Sequence, residues 1–212
     1  MSTVLDYDQY TKMLMGAVDI IRENHAMLSS LDAETGDGDH GVTMLRAMNK
    51  VGDVIANYAT KDLKSLTYDI GWALLGIDGG STGPLFGSLF MGMSEALEGK
   101  TSIDSEILAK MFESGLIAIQ LQTKAQVGDK TMIDALVPAI NALRTAADKH
   151  EDIVALLQAA AKAAEEGALA TKEMQARFGR AKHQGERTIG HQDPGATSTS
   201  LIFRGMVNGV KN

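Results

Sequence analysis

The sequence predicts an all-α fold, a bundle or closed barrel of about eight antiparallel helices, on three observations. Apolar residues recur at three- and four-residue steps through most of the chain, which is the period of a helix with one buried face. Alternating β-branched runs and Asn-Gly hairpin pairs are almost absent. The connections between periodic segments are short enough to make successive helices antiparallel neighbours.

Tyr10, Met13, Leu14, Ala17, Val18, Ile21 and Leu28 build one apolar face on a first helix over 8–31. Val42, Leu45, Met48, Val51 and Ile55 repeat the pattern over 42–55. Further helices are expected over 62–76, 84–98, 104–122, 131–147, 151–171 and 195–209. Ser102 and Asp104 suit the N-terminus of the fifth helix, and Thr131 that of the sixth. Pro138 has no amide hydrogen to donate inside ALVPAINAL, so a kink rather than a break is expected there. The Ala-rich stretch 151–170 reads as close helix packing. The 212 residues hold no internal repeat and no linker, so one domain over 1–212 is expected.

Composition narrows the function. Hydrophobic residues make up 44% and charged ones 22%, ordinary for a chain with a real core. A formal net charge of -7 argues against a duplex nucleic-acid binder, which needs clustered Lys and Arg. The absence of cysteine excludes disulfides, thiolate catalysis and Cys-based zinc sites. The opening MSTVLDYDQY does not read as a signal peptide, and no window approaches eighteen uninterrupted apolar residues. No membrane span is expected, and a reducing cytoplasm is the simplest location.

Glycine and polar residues concentrate in four connections, 32–41, 76–84, 123–131 and 179–195, and chemistry is sought there. In LDAETGDGDHG, Asp32, Glu34, Asp37 and Asp39 crowd four carboxylates into eight residues. Their repulsion is relieved by cations or by full solvation. Mg²⁺ takes a few carboxylates together with waters and phosphate oxygens, and Gly36, Gly38 and Gly41 let the backbone aim Asp37 and Asp39 at one point. An EF-hand fails on spacing, because the twelfth residue from Asp37 is Met48 and not Glu. The plainer reading is a solvated loop capping the next helix. In GIDGGSTGPLFG, the glycines, Ser81 and Thr82 precede Pro84 in a first helical turn, an arrangement that suits an anion or a tight helix–helix turn.

The GDKT of residues 128–131 is not a P-loop, since Asp129 separates Gly128 from Lys130 and no strand precedes it. Lys130 either meets a phosphate or an acidic partner or, the commoner case, faces solvent. Residues 179–199 hold Arg180, Lys182, His183, Arg187 and His191, the densest cationic cluster in the chain. A loop of this length inside a helical domain points to function. His191, in a Gly-flanked turn, reads as a hydrogen-bonding residue rather than a phosphate carrier.

GDGDHG, GGSTGPLFG, GDKTMID and GERTIGHQDPGA, in this order and spacing, resemble the L subunit of dihydroxyacetone kinases over essentially the whole chain. The resemblance implies an eight-helix barrel whose loops at one end bind ADP or ATP through two Mg²⁺ ions. It implies Asp32, Asp37 and Asp39 as metal ligands. It places His40, Gly41, Val42, Thr43, Ser81, Thr82, Thr123, Met132, Arg180, Asp193, Pro194 and Gly195 at nucleotide-contacting positions. Thr43, Ser81, Thr82, Thr123 and the Lys182-His183-Gln184 stretch depart from the residues most common in that family.

The ketose, dihydroxyacetone or a related short one, binds a separate K subunit in that family. A phosphotransfer-system carrier protein recharges the bound ADP in some members, and free ATP is the donor in others. The function expected is therefore phosphoryl transfer from a Mg-nucleotide to a ketose on the partner. No catalytic base is assigned in this chain. The rival readings are a nucleotide-state sensor that docks a regulatory protein and a helical Ca²⁺-binding protein.

Overall fold

Helices begin where the chain supplies a side chain to accept their free amides, and at one end of this molecule it does so at every helix. Asp6 and Gln9 form a reciprocal capping box: Gln9 N donates to Asp6 Oδ1 at 2.8 Å and Asp6 N to Gln9 Oε1 at 3.0 Å. It opens α1 (Tyr7–Ala33). Asp62, Asp104 and Asp152 each accept the amide three residues on, at 2.6, 2.8 and 2.9 Å. They open α3 (Leu63–Leu75), α5 (Ser105–Gln120) and α7 (Ile153–Ala170). Between them run α2 (His40–Ala56), α4 (Thr82–Glu95), α6 (Ile133–Asp148) and α8 (Pro194–Lys211). The computed structural model describes residues 4–212, so the first three residues of the expected 1–212 domain lie outside it.

Each helix packs on the next in sequence, and α8 closes the ring against α1. The short connections reverse the chain at each step, giving the antiparallel barrel that the periodicity predicts. Its inside is mainly apolar, with Tyr10, Met44, Phe86, Phe112 and Phe203 among the buried residues, and the Phe112 and Phe203 ring centroids are 5.1 Å apart. Glycine sets how closely the helices approach. A Cβ on Gly16 of α1 would sit 2.7 Å from the backbone nitrogen of Gly209 in α8, so no larger residue fits that seam.

Three local expectations differ from the structure. Residues Val4–Leu5 and Ile103–Asp104 pair as two short antiparallel strands, too brief to leave a sequence pattern. Helix α6 begins one residue after Met132 and not at Thr131; the Thr131 hydroxyl instead accepts the amide of Ile133 at 3.2 Å. The cationic stretch is not all loop, since residues Ala181–Thr188 form 3₁₀ turns joined across Gly185. Helix α6 runs unbroken through Pro138.

Candidate functional site

Because the helices alternate in direction, the connections after α1, α3, α5 and α7 all lie at one end. They are residues 34–39, 76–81, 121–132 and 171–193, essentially the four Gly-rich segments of the sequence. Together they enclose a cleft of about 440 Å³, the size of a small-molecule site. The N-termini of α2, α4, α6 and α8 point into this end. Unlike those at the opposite end, the N-cap side chains of α2, α4 and α6 accept no hydrogen bond from the amides of the first turn. Four positive helix ends therefore converge on the cleft, with the first-turn amides of α4 left uncapped, which favours a polyanion.

Opposing that positive field is the acidic loop. The amides of Thr35 and Gly36 donate to the Asp32 carbonyl at 3.1 and 2.6 Å, folding the chain back at the end of α1. Gly38 then takes φ +77°, a conformation glycine adopts without strain. The result brings one carboxylate oxygen from each of Asp32, Asp37 and Asp39 within 4.8 Å of the others. Asp32 Oδ2 accepts the amide of His40 at 3.2 Å, and Asp39, although the N-cap of α2, makes no capping bond. A cationic group already sits on Asp37: the Arg180 guanidinium pairs with it. Three converging hard oxygen donors, with a cation drawn to one of them, fit Mg²⁺. Glu34 does not join them. Its carboxylate meets His191 Nδ1 at 2.7 Å instead.

Across the cleft, Gly79 and Gly80 carry φ of +120° and +55° and lead into α4. A Cβ on Gly79 would lie 2.8 Å from Thr43 Oγ1, so the turn rests on α2. The amides of Thr82 and Gly83, in the first turn of α4, have no intrahelical acceptor, and Pro84 has no amide at all. A Cβ on Gly80 would meet nothing within 4 Å. Gly80→Val therefore strains the backbone by about 1–3 kcal/mol with open space around its Cβ, while placing a branched side chain where a ligand approaches. We expect at least tenfold weaker ADP binding by calorimetry with a melting temperature only a few degrees lower; retained affinity would make Gly80 a turn residue alone.

Leu85, Phe86, Met132, Ile133 and Phe178 give the cleft an apolar wall, and Thr123 lines its edge with its hydroxyl accepting the Ala125 amide at 3.1 Å. His40 is largely enclosed; its Nε2 lies 3.0 Å from Ser198 Oγ, and burial holds its imidazole below the ordinary pKa. Asp193 caps α8 by accepting the Ala196 amide at 2.7 Å. Desolvation, abetted by nearby Asp134, pushes the Asp193 carboxyl up to about 7.

That shift sets a pH dependence. Below the ordinary value of 3.8 the carboxyl is protonated whether the chain is folded or not. As pH rises towards about 7 the unfolded chain loses the proton and the folded one keeps it, so this group's contribution to stability falls and is gone above that pH. Asp193→Asn keeps a capping oxygen and does not titrate. Its urea midpoint should exceed that of the parent increasingly between about pH 4 and pH 7 and by a constant amount above. A difference that does not change with pH would contradict the shift.

Residues 34–208 match the DAK2 domain. The chain belongs to the DAK2 domain family. Within it, the chain is 39% identical over 200 residues to the ADP-binding subunit DhaL of the PEP-dependent dihydroxyacetone kinase of Escherichia coli, covering 94% of this chain and 95% of that one. It is 39% identical over 188 residues to the ADP-binding subunit DhaL of the PEP-dependent dihydroxyacetone kinase 1 of Listeria innocua, covering 88% of each chain. The crystal structure of the dihydroxyacetone kinase of C. freundii in complex with AMP-PNP and Mg²⁺ superposes with a TM-score of 0.73 at 28% identity. That match covers 93% of this chain and 33% of the C. freundii chain, so this chain spans about a third of that kinase.

Of the DAK2-type positions taken from the sequence, Asp32, Asp37, Asp39, His40, Thr43, Ser81, Thr82, Thr123, Met132, Arg180, Asp193, Pro194 and Gly195 all line the cleft. Gly41 and Val42 do not. Gly41 packs against α1, where a Cβ would lie 2.7 Å from Ser29 N, and Val42 turns outward, 49% exposed. Lys130 does not face solvent and meets no carboxylate directly. It is buried, and its ammonium donates to the carbonyls of Thr171 and His191. Phe178 was not singled out by the sequence, because an isolated aromatic beside a Gly-rich loop carries no periodic or motif signal. Among the described residues no helix is long and apolar enough to cross a membrane.

Proposed function

We propose that this chain is the Mg-nucleotide-binding subunit of a two-component short-ketose kinase, passing phosphate to a ketose held on a K-type partner. One observation carries the reading: a trio of aspartates and the open N-terminus of α4 line the same cleft, with Arg180 in its lining and paired to Asp37. Asp32, Asp37 and Asp39 would hold magnesium, two ions by the resemblance, and the metal supplies charge neutralisation on the polyphosphate. The chain does the rest. Amides of Thr82 and Gly83 with the Ser81 and Thr82 hydroxyls orient the phosphates, and Arg180 leaves Asp37 to meet the transferring group. The apolar wall around Met132 and Phe178 receives the base and excludes water.

The donor that recharges ADP follows the named relatives, which are PEP-dependent; a phosphotransfer-system carrier protein would then approach the same open end. A nucleotide-state sensor has the same cleft but no transfer. Sugar phosphate formed from Mg-ATP or recharged ADP, in the presence of a K-type subunit and dihydroxyacetone, distinguishes the two. Tight ADP binding with no transfer to any K-type partner would favour the sensor.

A further inference from the structure

Lys130 has no place in the chemistry above, yet its position is unusual in two ways. It is 3% exposed, and it is one of two non-glycine residues in the described chain with positive φ, at +60°. A buried ammonium and a left-handed backbone are both unfavourable unless the surroundings require them. What Lys130 gains is a pair of backbone carbonyls: Nζ donates to Thr171 O at 2.6 Å and to His191 O. Those two carbonyls lie at opposite ends of the segment that carries Phe178 and Arg180 over the cleft.

Neighbouring bonds fasten the same segment. Thr171 Oγ1 accepts the amide of Asp193 at 2.9 Å, and Lys172 O accepts that of Gly190 at 2.7 Å. Asp129 O accepts the amide of Arg177 at 3.1 Å, and its carboxylate lies 3.5 Å from the Arg177 guanidinium. The segment is a strap with both ends tied at residues 129–130. Arg180, at its middle, is itself largely exposed and held only by Asp37 at its tip.

We propose that Lys130 is a positioning residue: by clasping the Thr171 and His191 carbonyls it fixes the strap at the height where Arg180 meets the nucleotide's polyphosphate. The proposal rests on the reading that this cleft binds Mg-nucleotide. It assigns Lys130 no contact with phosphate, because two of its three N–H bonds are already directed at carbonyls. Burial holds the Lys130 ammonium below its ordinary pKa, and the nearby carboxyls of Asp193 and Asp134 oppose that shift.

A double-mutant cycle separates positioning from direct contact. Calorimetry measures Mg-ADP and adenosine binding to the full chain and to Lys130→Met, Arg180→Gln and the double variant. Each single substitution should weaken Mg-ADP about tenfold or more, while adenosine, which has no phosphate, binds unchanged. If Lys130 acts through the strap, the double variant binds Mg-ADP within about twofold of Arg180→Gln alone. Losses that multiply would make Lys130 an independent phosphate ligand, and equal losses for adenosine would make it a fold residue; either overturns the proposal. Lys130→Arg, which keeps the cation but displaces its donors, serves the same cycle should Lys130→Met fail to fold. A parent chain that binds no Mg-ADP overturns the nucleotide reading and this one with it, whereas tight parental binding with multiplying losses overturns only this one.

Discussion

Asp37→Asn or Asp39→Asn should weaken Mg-ADP binding at least about 100-fold, equivalent to about 2.7 kcal/mol, and leave the helical barrel folded. The three carboxylates that converge within 4.8 Å repel one another, and a cation among them relieves that repulsion. Losing one oxygen anion removes a ligand and part of the charge that holds the metal, and through it the polyphosphate. The barrel does not depend on either residue. Asp37 and Asp39 are exposed loop residues, and the α2 start is held by the Asp32 carboxylate on the His40 amide. Removing a repelling charge should keep or raise the metal-free melting temperature. Circular dichroism reads the fold and calorimetry the affinity; unchanged affinity in both variants would remove the metal assignment.

The second large effect is on turnover. The chain alone should form no sugar phosphate from Mg-ATP and dihydroxyacetone or erythrulose, and a K-type subunit should raise the rate by orders of magnitude. The reason lies in what the cleft offers. Its groups suit an anion, a metal and an apolar base; of the five histidines, His183 is an exposed residue of the strap that does not line the cleft, and the other four are engaged elsewhere. His40 is enclosed against Ser198, and His191 is paired with Glu34. His25 lies against α1's own backbone, at 2.7 Å from the Arg22 carbonyl, and His150 sits in the turn before α7 at the far end. None of these is free to capture a ketose within the cleft, and Glu34 is turned away from the aspartates. Chromatographic detection of the sugar phosphate is the assay. Steady product from the purified chain without a second protein would contradict the two-component reading.

Much of this architecture was legible because the chain separates its tasks. Apolar periodicity marked the helices, and an alternating ring places every second connection at one end, so the four Gly-rich segments had to meet. The crowding of four carboxylates into residues 32–39 was legible as a candidate cation site, and the family resemblance picked Asp32, Asp37 and Asp39 out of it. Why Glu34 drops out was not. Glu34 leaves the group through a pairing with His191, far away in sequence. Lys130 was equally hidden, since nothing local distinguishes a lysine that clasps two carbonyls from one in solvent. Gly41 was placed at the nucleotide by the family resemblance; in the structure its lack of a side chain serves the approach of α2 to α1. Thr131 failed as a helix cap because Asp134 captures its amide, at 2.7 Å, and reorganises the turn.

The most direct measurement is a calorimetric titration of the parent chain with ADP, with Mg²⁺ present and with the metal chelated. If the aspartate trio and the open helix ends form one metal–nucleotide site, ADP binds one to one with Mg²⁺ and at least about 100-fold more weakly without it. The same experiment with Mg²⁺ varied gives the number of ions taken up. Equal affinity with and without the metal, or no ADP binding at all, would contradict the account.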